Sequence, residues 1–140
     1  MFEAFGTDVH DDWIDYNGHM NDAAYALALT AANEAFLDHV DLGAGYRART
    51  GCTMYTVDLH LSYQAEVQAS DRLAARTSVT LLAPRKLRLT TALVRSDGTV
   101  AATGEVLYLH YDQHARQVVP FAAEQTARLS PWLSEAPASA

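Results

Sequence analysis

Hydrophobic and polar residues alternate along most of the second half of the chain, and this period of two predicts β-strands. The alternation is clearest in residues 53–64, where large apolar residues hold the odd positions from 55 to 63 and polar residues hold most even positions. It continues in residues 73–81, 87–93 and 99–111. Asp97 and Gly98 form a strong hairpin turn between the last two segments. We therefore predict an antiparallel meander of four long strands.

A helical pattern occupies residues 21 to about 40. Asn21 suits the N-cap position, and Gly43 and Gly45 suit the stop beyond the last turn. The first half of this helix, residues 23–29, is apolar on every side. A helix of that kind should be buried rather than laid on a surface, so we expect the strands to wrap around it.

The order of the elements completes the predicted architecture. A short strand within residues 2–10 precedes the helix, and a short terminal helix over residues 120–129 follows the last long strand. This order predicts an α+β fold with one long helix wrapped by a five-stranded antiparallel sheet. We predict a single domain over residues 1–133 and a frayed tail over residues 134–140.

Composition excludes several classes of partner. The 140 residues carry a formal charge of −7, without the basic stripe that nucleic acids require, so no nucleic-acid partner is expected. The sequence shows no membrane-spanning run and no secretion signal, and we expect no membrane association. A single cysteine, Cys52, cannot form an internal disulfide and fits a reducing compartment. The expected location is cytoplasmic.

Candidate chemistry is concentrated just before the long helix, in the stretch DWIDYNGHMND. Asp15, Asn17 and His19 are spaced two apart, so an extended lead-in would project them to one side. Gly18 permits a close backbone approach or a positive φ. A carboxylate beside the N–H groups of a helix start can activate water while those groups polarise a carbonyl oxygen. A turn followed by an ordinary N-cap is the simpler interpretation of the same residues.

A metal site is the main chemical alternative for this stretch. In a calcium loop beginning at Asp15, the sixth position requires glycine and the twelfth requires glutamate, but Met20 and Ala26 stand there. Zinc would need more ligands than Asp15 and His19, and the other histidines show no ligand spacing. We therefore predict no metal and no cofactor.

The stretch also carries a longer motif, D-x-N-x-H-M-N-x-x-x-Y, followed by a helix and four strands. The residues of the motif are Asp15, Asn17, His19, Met20, Asn21 and Tyr25. This combination resembles the hotdog-fold thioesterases, in particular the 4-hydroxybenzoyl-CoA and acyl-ACP thioesterase branches. The stretch WIDYNGHMNDAAYAL is also similar to the betainyl-CoA thioesterases of bacterial carnitine degradation. The resemblance covers about residues 8–120.

The resemblance implies roles for individual residues. Asp15, three residues before Gly18, matches the catalytic carboxylate, which acts as base or nucleophile, while Asn17 and His19 match residues that assist it. Gly18, Met20 and Tyr25 are placed in substrate binding. The sequence departs from the pattern at Asp22, where the family usually has a second asparagine.

Other candidates lie outside the motif. Arg85, Lys86 and Arg88 form the one basic cluster of the chain and could hold CoA phosphates, although a solvated hairpin tip would look the same. Asp58 and His60 share the polar face of their strand and could form a second catalytic pair, a subunit contact or an exposed surface. His110 and His114 are expected at the surface.

The function that the resemblance favours is hydrolysis of a small acyl-CoA. We expect the protein to be a homodimer or homotetramer, because self-pairing would cover an exposed sheet edge. Two alternatives stay open. The chain could be a hotdog hydratase or dehydratase acting on the acyl chain, or a non-catalytic module that binds acyl ligands.

Overall fold

The computed structural model describes residues 1–134. The strands are β1 (Gly6–Asp8), β2 (Cys52–Tyr63), β3 (Arg72–Leu82), β4 (Lys86–Arg95), β5 (Val100–Asp112) and β6 (Gln117–Val118). The helices are α1 (Asp22–His39), α2 (Ala44–Thr50) and α3 (Ala123–Leu129), with short 3-10 turns at Asp11–Trp13 and Ser130–Trp132. The predicted long helix and the four predicted long strands are confirmed, each to within about two residues at either end.

The strands form one antiparallel sheet in the order β1-β3-β4-β5-β2, and β6 adds a short pairing beside β5. The predicted five-stranded sheet is confirmed, but the predicted meander is wrong for β2, which pairs with β5 instead of β3. Residues 64–71, the crossing segment, carry the chain from β2 to β3 past the ends of β5 and β4. Its path is held by Gln64 N donating to Ala101 O at 2.9 Å and by Arg95 Nη1 donating to Glu66 O at 2.9 Å.

A bulge interrupts β2 at Val57. Thr56 pairs with Tyr108, but Asp58 pairs with Leu107, so Val57 is an extra residue with no partner of its own on β5. Because one inserted residue inverts the alternation of faces, Asp58 lies on the opposite face of the sheet from Thr56. The predicted uninterrupted alternation of this strand is therefore wrong, although Asp58 and His60 do share a face.

Helix α1 begins where its sequence predicts, but only one of its sides is buried. Asn21 is the N-cap, and its side chain accepts from Ala24 N at 3.0 Å. Gly104 in β5 lets the helix approach the sheet closely, because a Cβ atom there would lie 2.4 Å from the side chain of Leu29. The opposite side of the helix is open, with Leu27 57% exposed. The expectation of burial all round is therefore not met within one chain. No helix within residues 1–134 is long and apolar enough to cross a membrane.

A buried polar network joins α1 to the sheet. Asn33 of α1 is a polar residue that is only 1% exposed. Its Nδ2 donates to the Tyr108 hydroxyl at 3.1 Å, and its Oδ1 accepts from Thr91 Oγ1 at 2.7 Å. Thr91 in turn shares a hydrogen bond of 3.0 Å with Thr77. Burial raises the pKa of Tyr108 to about 12, so the hydroxyl keeps its proton at neutral pH.

Both ends of the described chain cover the outer edge of β3. Strand β1 pairs with its first residues, and Phe2 bridges to Thr77. Leu133 bridges to Val79, whose carbonyl also accepts from Ser134 N at 2.9 Å. Leu133 and Ser134 therefore add to the sheet at the start of the predicted tail, whose other residues, 135–140, lie outside the described part of the chain. The short first strand predicted within residues 2–10 is confirmed as β1, and α3 begins three residues later than expected.

Helix α2 was not expected, because its glycines suited a helix stop. Gly43 is its N-cap, and the positive φ near the end of α1 belongs to Asp41 instead. Tyr46 of α2 donates or accepts a hydrogen bond of 2.8 Å with Nε2 of His110, which is 2% exposed. The expectation that His110 lies at the surface is therefore wrong, because α2 and Phe121 cover it, the latter stacked at 4.5 Å. His114 is exposed.

Candidate active site

The stretch before α1 forms a tight hairpin instead of an extended lead-in. Asp15 N donates to His19 O at 3.0 Å, and Gly18 N donates to Asp15 O at 3.0 Å. Gly18 has a φ of 81°, a conformation that costs a glycine little. The Asp15 carboxylate accepts from Asn17 N at 2.8 Å, which fixes the turn. The predicted extended lead-in is therefore wrong for residues 15–19, where the chain turns back on itself.

This hairpin is fastened to the start of α1. The backbone N–H and the side-chain Nδ2 of Asn21 both donate to Trp13 O, at 2.8 and 2.9 Å. Met20 N donates to Val67 O at 2.7 Å, which ties the hairpin to the crossing segment. The half-buried Asp15 is thus held on a loop whose two ends are both fixed.

Two amides in the first turn of α1, those of Ala23 and Ala24, already have side-chain acceptors. Ala24 N donates to Asn21 Oδ1, and Ala23 N donates to Asp22 Oδ1, each at 3.0 Å. A substrate oxygen could use the Ala23 amide only after the Asp22 carboxylate turned away. The predicted polarisation of a carbonyl by these amides therefore depends on a movement of Asp22.

Beside the helix start lies an open cleft of about 350 Å³. One wall consists of Met20, Asp22 and Tyr25, and the other consists of residues 63–66 at the end of β2 and the start of the crossing segment. Predicted binding residues Met20 and Tyr25 thus meet here, whereas Asp15, Asn17 and Gly18 do not line this cleft in one chain. Its volume lies within the range of small-molecule sites.

His19 links the hairpin to this cleft. Its Nε2 lies 3.2 Å from Oε2 of Glu66, a residue that lines the cleft. His19 also bridges to Gln68 in the crossing segment. His19, which is predicted to assist Asp15, therefore contacts the cleft through the carboxylate of Glu66.

Two tyrosines line the cleft side by side. Tyr25 and Tyr63 pack edge to face with ring centroids 5.0 Å apart. Tyr25 donates to Ala65 O at 3.2 Å, and Tyr63 donates to Asp22 O at 3.1 Å. Burial raises the pKa of the Tyr25 hydroxyl, and the negative charge of nearby Glu66 raises it further.

The basic cluster lies at the far end of the sheet. Lys86 pairs with Leu109 of β5, whereas the cleft residue Tyr63 pairs with Ala102 of the same strand. Seven residues of β5 separate these levels, which is about 23 Å. Arg85 and Lys86 are exposed and Arg88 is half-buried. One chain alone does not bring the cluster together with the hairpin.

Sequence reasoning missed most of the cleft wall. Tyr63, Gln64 and Glu66 were assigned no role, and Asp22 only marked a departure from the family pattern. No local pattern identifies residues 64–66, because they reach the start of α1 only through the pairing of β2 with β5 instead of β3. Asp58 and His60 lie in β2 on the face away from α1, since the bulge at Val57 turns them there.

Comparison with known proteins agrees on the family of this site. The family model described as thioesterase-like superfamily matches residues 9–134. A protein of Agrobacterium fabrum, named L-carnitine dehydrogenase/betainyl-CoA thioesterase, is 41% identical over 111 residues, covering 79% of this chain and 23% of that protein. The chain therefore spans about a quarter of that relative. A betainyl-CoA thioesterase of Pseudomonas aeruginosa is 32% identical over 130 residues, covering 92% of this chain and 82% of that protein.

A solved structure supports the fold. A hypothetical protein of Staphylococcus aureus, solved in complex with CoA, superposes with a TM-score of 0.88 at 24% identity. The match covers 100% of this chain and 90% of that chain. The predicted α+β hotdog fold is confirmed.

Proposed function

The chain belongs to the thioesterase-like superfamily, as the motif predicted, and from that membership we propose that it hydrolyses the thioester of a small acyl-CoA. The proposed products are the free acid and CoA. The relatives named as betainyl-CoA thioesterases make betainyl-CoA the first substrate to test. The observation that carries the proposal is a carboxylate, Asp15, on a hairpin fastened both to a helix start and to the wall of a cleft.

In the proposed reaction, Asp15 acts as the base. It takes a proton from a water molecule, and the water oxygen forms a bond to the thioester carbonyl carbon. The resulting oxyanion collapses, the carbon–sulfur bond breaks, and the CoA thiolate leaves and is protonated. Direct attack by Asp15 to form an anhydride, which water then cleaves, is the other route open to a carboxylate.

The groups around Asp15 have supporting roles in this proposal. Asn17 and His19 orient the substrate or the water, and His19 does so from its contact with Glu66. The Ala23 amide becomes available to the oxyanion when the Asp22 carboxylate releases it. Gly18 keeps the turn that aims Asp15, and Met20 and Tyr25 line the acyl cleft.

Release of free thiol from a panel of acyl-CoAs, measured with a thiol reagent, tests the proposal. Thiol release from betainyl-CoA or another small acyl-CoA supports hydrolysis. A change in enoyl-CoA absorbance without thiol release would indicate the hydratase alternative. Binding of acyl-CoA without either reaction would indicate the binding module.

Strand β2 supports the proposed homodimer. Among the described residues its outer edge has no neighbouring strand, and Tyr55, Val57 and Leu59 on it are each more than 40% exposed. Two copies pairing these edges antiparallel about a two-fold axis would each cover the exposed apolar residues of the other. We therefore propose β2 as the subunit interface, with a tetramer formed from two such dimers as the larger option.

The same pairing gives the basic cluster a role. Because the two β2 strands would run antiparallel, the Tyr63 end of one copy would lie beside the Cys52 end of the other. Within each copy, the Cys52 end of β2 is level with Lys86, and the two lie two strand spacings, about 10 Å, apart. Arg85, Lys86 and Arg88 of one copy could then hold CoA phosphates while the other copy holds the acyl group.

Replacing Leu59 with lysine should dissociate the proposed dimer, because a charge on an edge strand opposes pairing. Sedimentation should show a smaller species for Leu59→Lys than for the wild type. Leu133→Lys is the matched control, since Leu133 is 52% exposed on a different edge, and it should stay dimeric. A wild-type monomer, or an undisturbed Leu59→Lys dimer, would contradict this interface.

Neutralising the basic cluster should weaken CoA binding. Replacing Arg85, Lys86 and Arg88 with glutamine should raise KM by about tenfold with little change in kcat, the pattern of lost uniform binding. The effect should shrink with a short thioester that lacks the nucleotide. Arg76→Gln, an exposed arginine elsewhere on the sheet, is the control. Equal effects on both substrates would return the cluster to an ordinary hairpin tip.

A further inference from the structure

The charge of the cleft beside α1 is one-sided. Its walls carry two carboxylates, Asp22 and Glu66, and none of the residues that line it is basic. The neighbouring basic side chains already have partners: His19 lies against Glu66, and the guanidinium of Arg95 is forked onto Asp97. The cleft therefore favours a positively charged group and disfavours an anionic one.

The backbone of Glu66 is held in place, and its carboxylate remains accessible. The backbone of Glu66 is held by Arg95 Nη1, and the neighbouring Ala65 carbonyl accepts from the Tyr25 hydroxyl. The side chain of Glu66 is 56% exposed, so it can meet a ligand. Its charge is close enough to Tyr25 to raise the pKa of that hydroxyl, beyond the larger effect of burial.

Aromatic rings stand beside this carboxylate. Tyr25 and Tyr63 pack edge to face, and Tyr63 is 54% exposed at the mouth of the cleft. Aromatic faces next to a negative charge are the combination that binds quaternary ammonium groups, which have no N–H to donate and are attracted by the ring quadrupole. An ordinary aliphatic acyl group would gain nothing from the two carboxylates.

We propose that Glu66, with Tyr63 and Asp22, selects an acyl group that carries a quaternary ammonium, and so determines the specificity of the enzyme. This proposal rests on the proposed thioesterase function and assigns the acyl end of the substrate to the acidic cleft. The nucleotide end of CoA does not fit there, because its phosphates would meet the two carboxylates. The names of the two relatives agree with a cationic acyl group, since a betainyl group is a trimethylammonium acetyl group.

Two substrates of the same shape separate charge from size. Betainyl-CoA and 3,3-dimethylbutyryl-CoA differ by a nitrogen cation in place of a neutral carbon. The measured quantity is the kcat/KM for betainyl-CoA divided by the kcat/KM for 3,3-dimethylbutyryl-CoA. Comparing this ratio between variant and wild type cancels the difference in intrinsic reactivity of the two substrates. Glu66→Gln should lower this ratio at least about tenfold, since it removes the charge and keeps the shape. Raising the salt concentration should lower the wild-type ratio as well.

Controls distinguish the possible outcomes. Glu3→Gln removes another exposed carboxylate, one paired with Arg76, and should keep the wild-type ratio. If Glu66→Gln slows both substrates by the same factor, Glu66 only positions His19 and the proposal is overturned. Asp22→Asn should lower the ratio too. If the ratio is unchanged in both Glu66→Gln and Asp22→Asn, the proposal is likewise overturned. If the wild type hydrolyses neither substrate nor any other acyl-CoA, the proposed function itself fails.

Discussion

Asp15→Asn should lower kcat by at least about 10²-fold, the usual scale of lost general acid–base catalysis. Asparagine has nearly the same shape, and its Oδ1 can still accept from Asn17 N, so the hairpin should keep its turn. The measurement is steady-state thiol release together with a circular dichroism spectrum that checks the fold.

Asp12→Asn is the matched control for this experiment. Asp12 is exposed in the 3-10 turn three residues earlier, and its carboxylate has no proposed role. The control should retain wild-type turnover. Near-normal turnover in a well-folded Asp15→Asn variant would show that another group supplies the base.

Asn33→Ala should lower the free energy of unfolding by about 2–4 kcal/mol, because it strips partners from buried hydroxyl groups. Tyr108 would lose its hydrogen bond to Asn33 Nδ2, and Thr91 would lose its acceptor. Urea unfolding at one fixed protein concentration measures the change, since the proposed dimerisation would make stability depend on concentration.

Thr30→Ala controls for the better helix propensity of alanine, because Thr30 is exposed on the same helix. Adding Tyr108→Phe to Asn33→Ala should recover part of the loss, since the buried hydroxyl is then absent. A loss no larger than that of the control would mean that the network contributes little to stability.

The parts of the fold that local sequence determines were predictable. The Asn21 cap, the apolar run of α1 and the turn at Asp97 and Gly98 each depend on neighbouring residues, and each lies where the pattern predicts. Strand alternation located β3, β4 and β5 for the same reason, because their faces follow a period of two.

Features that depend on distant partners were not predictable. The pairing of β2 with β5 is decided by the whole sheet, and a meander satisfies the same alternation. The bulge at Val57 leaves the run of odd apolar residues unchanged, so it has no signature in the pattern. Asn33 and His110 are polar residues whose burial depends on partners in other elements, namely Tyr108 and Tyr46.

The candidate site likewise contains residues that were predictable from the local sequence and residues that were not. The hairpin residues were found because they are adjacent in sequence and carry a family motif. Glu66 and Tyr63 lie more than 40 residues away, and they face α1 only because the crossing segment passes under the ends of β4 and β5. Their chemistry was visible in the sequence, but their position was not.

The covering of β3 by the two ends of the described chain limits how far assembly can grow. With β1, Phe2 and Leu133 along that side, the sheet presents β2 as its one long open border within residues 1–134. A sheet open on both sides could stack copy upon copy into a fibre, whereas a sheet open on one side is saturated after a single self-pairing. Because both ends of the described chain lie along β3, any self-pairing of the sheet would stop after a single step at β2.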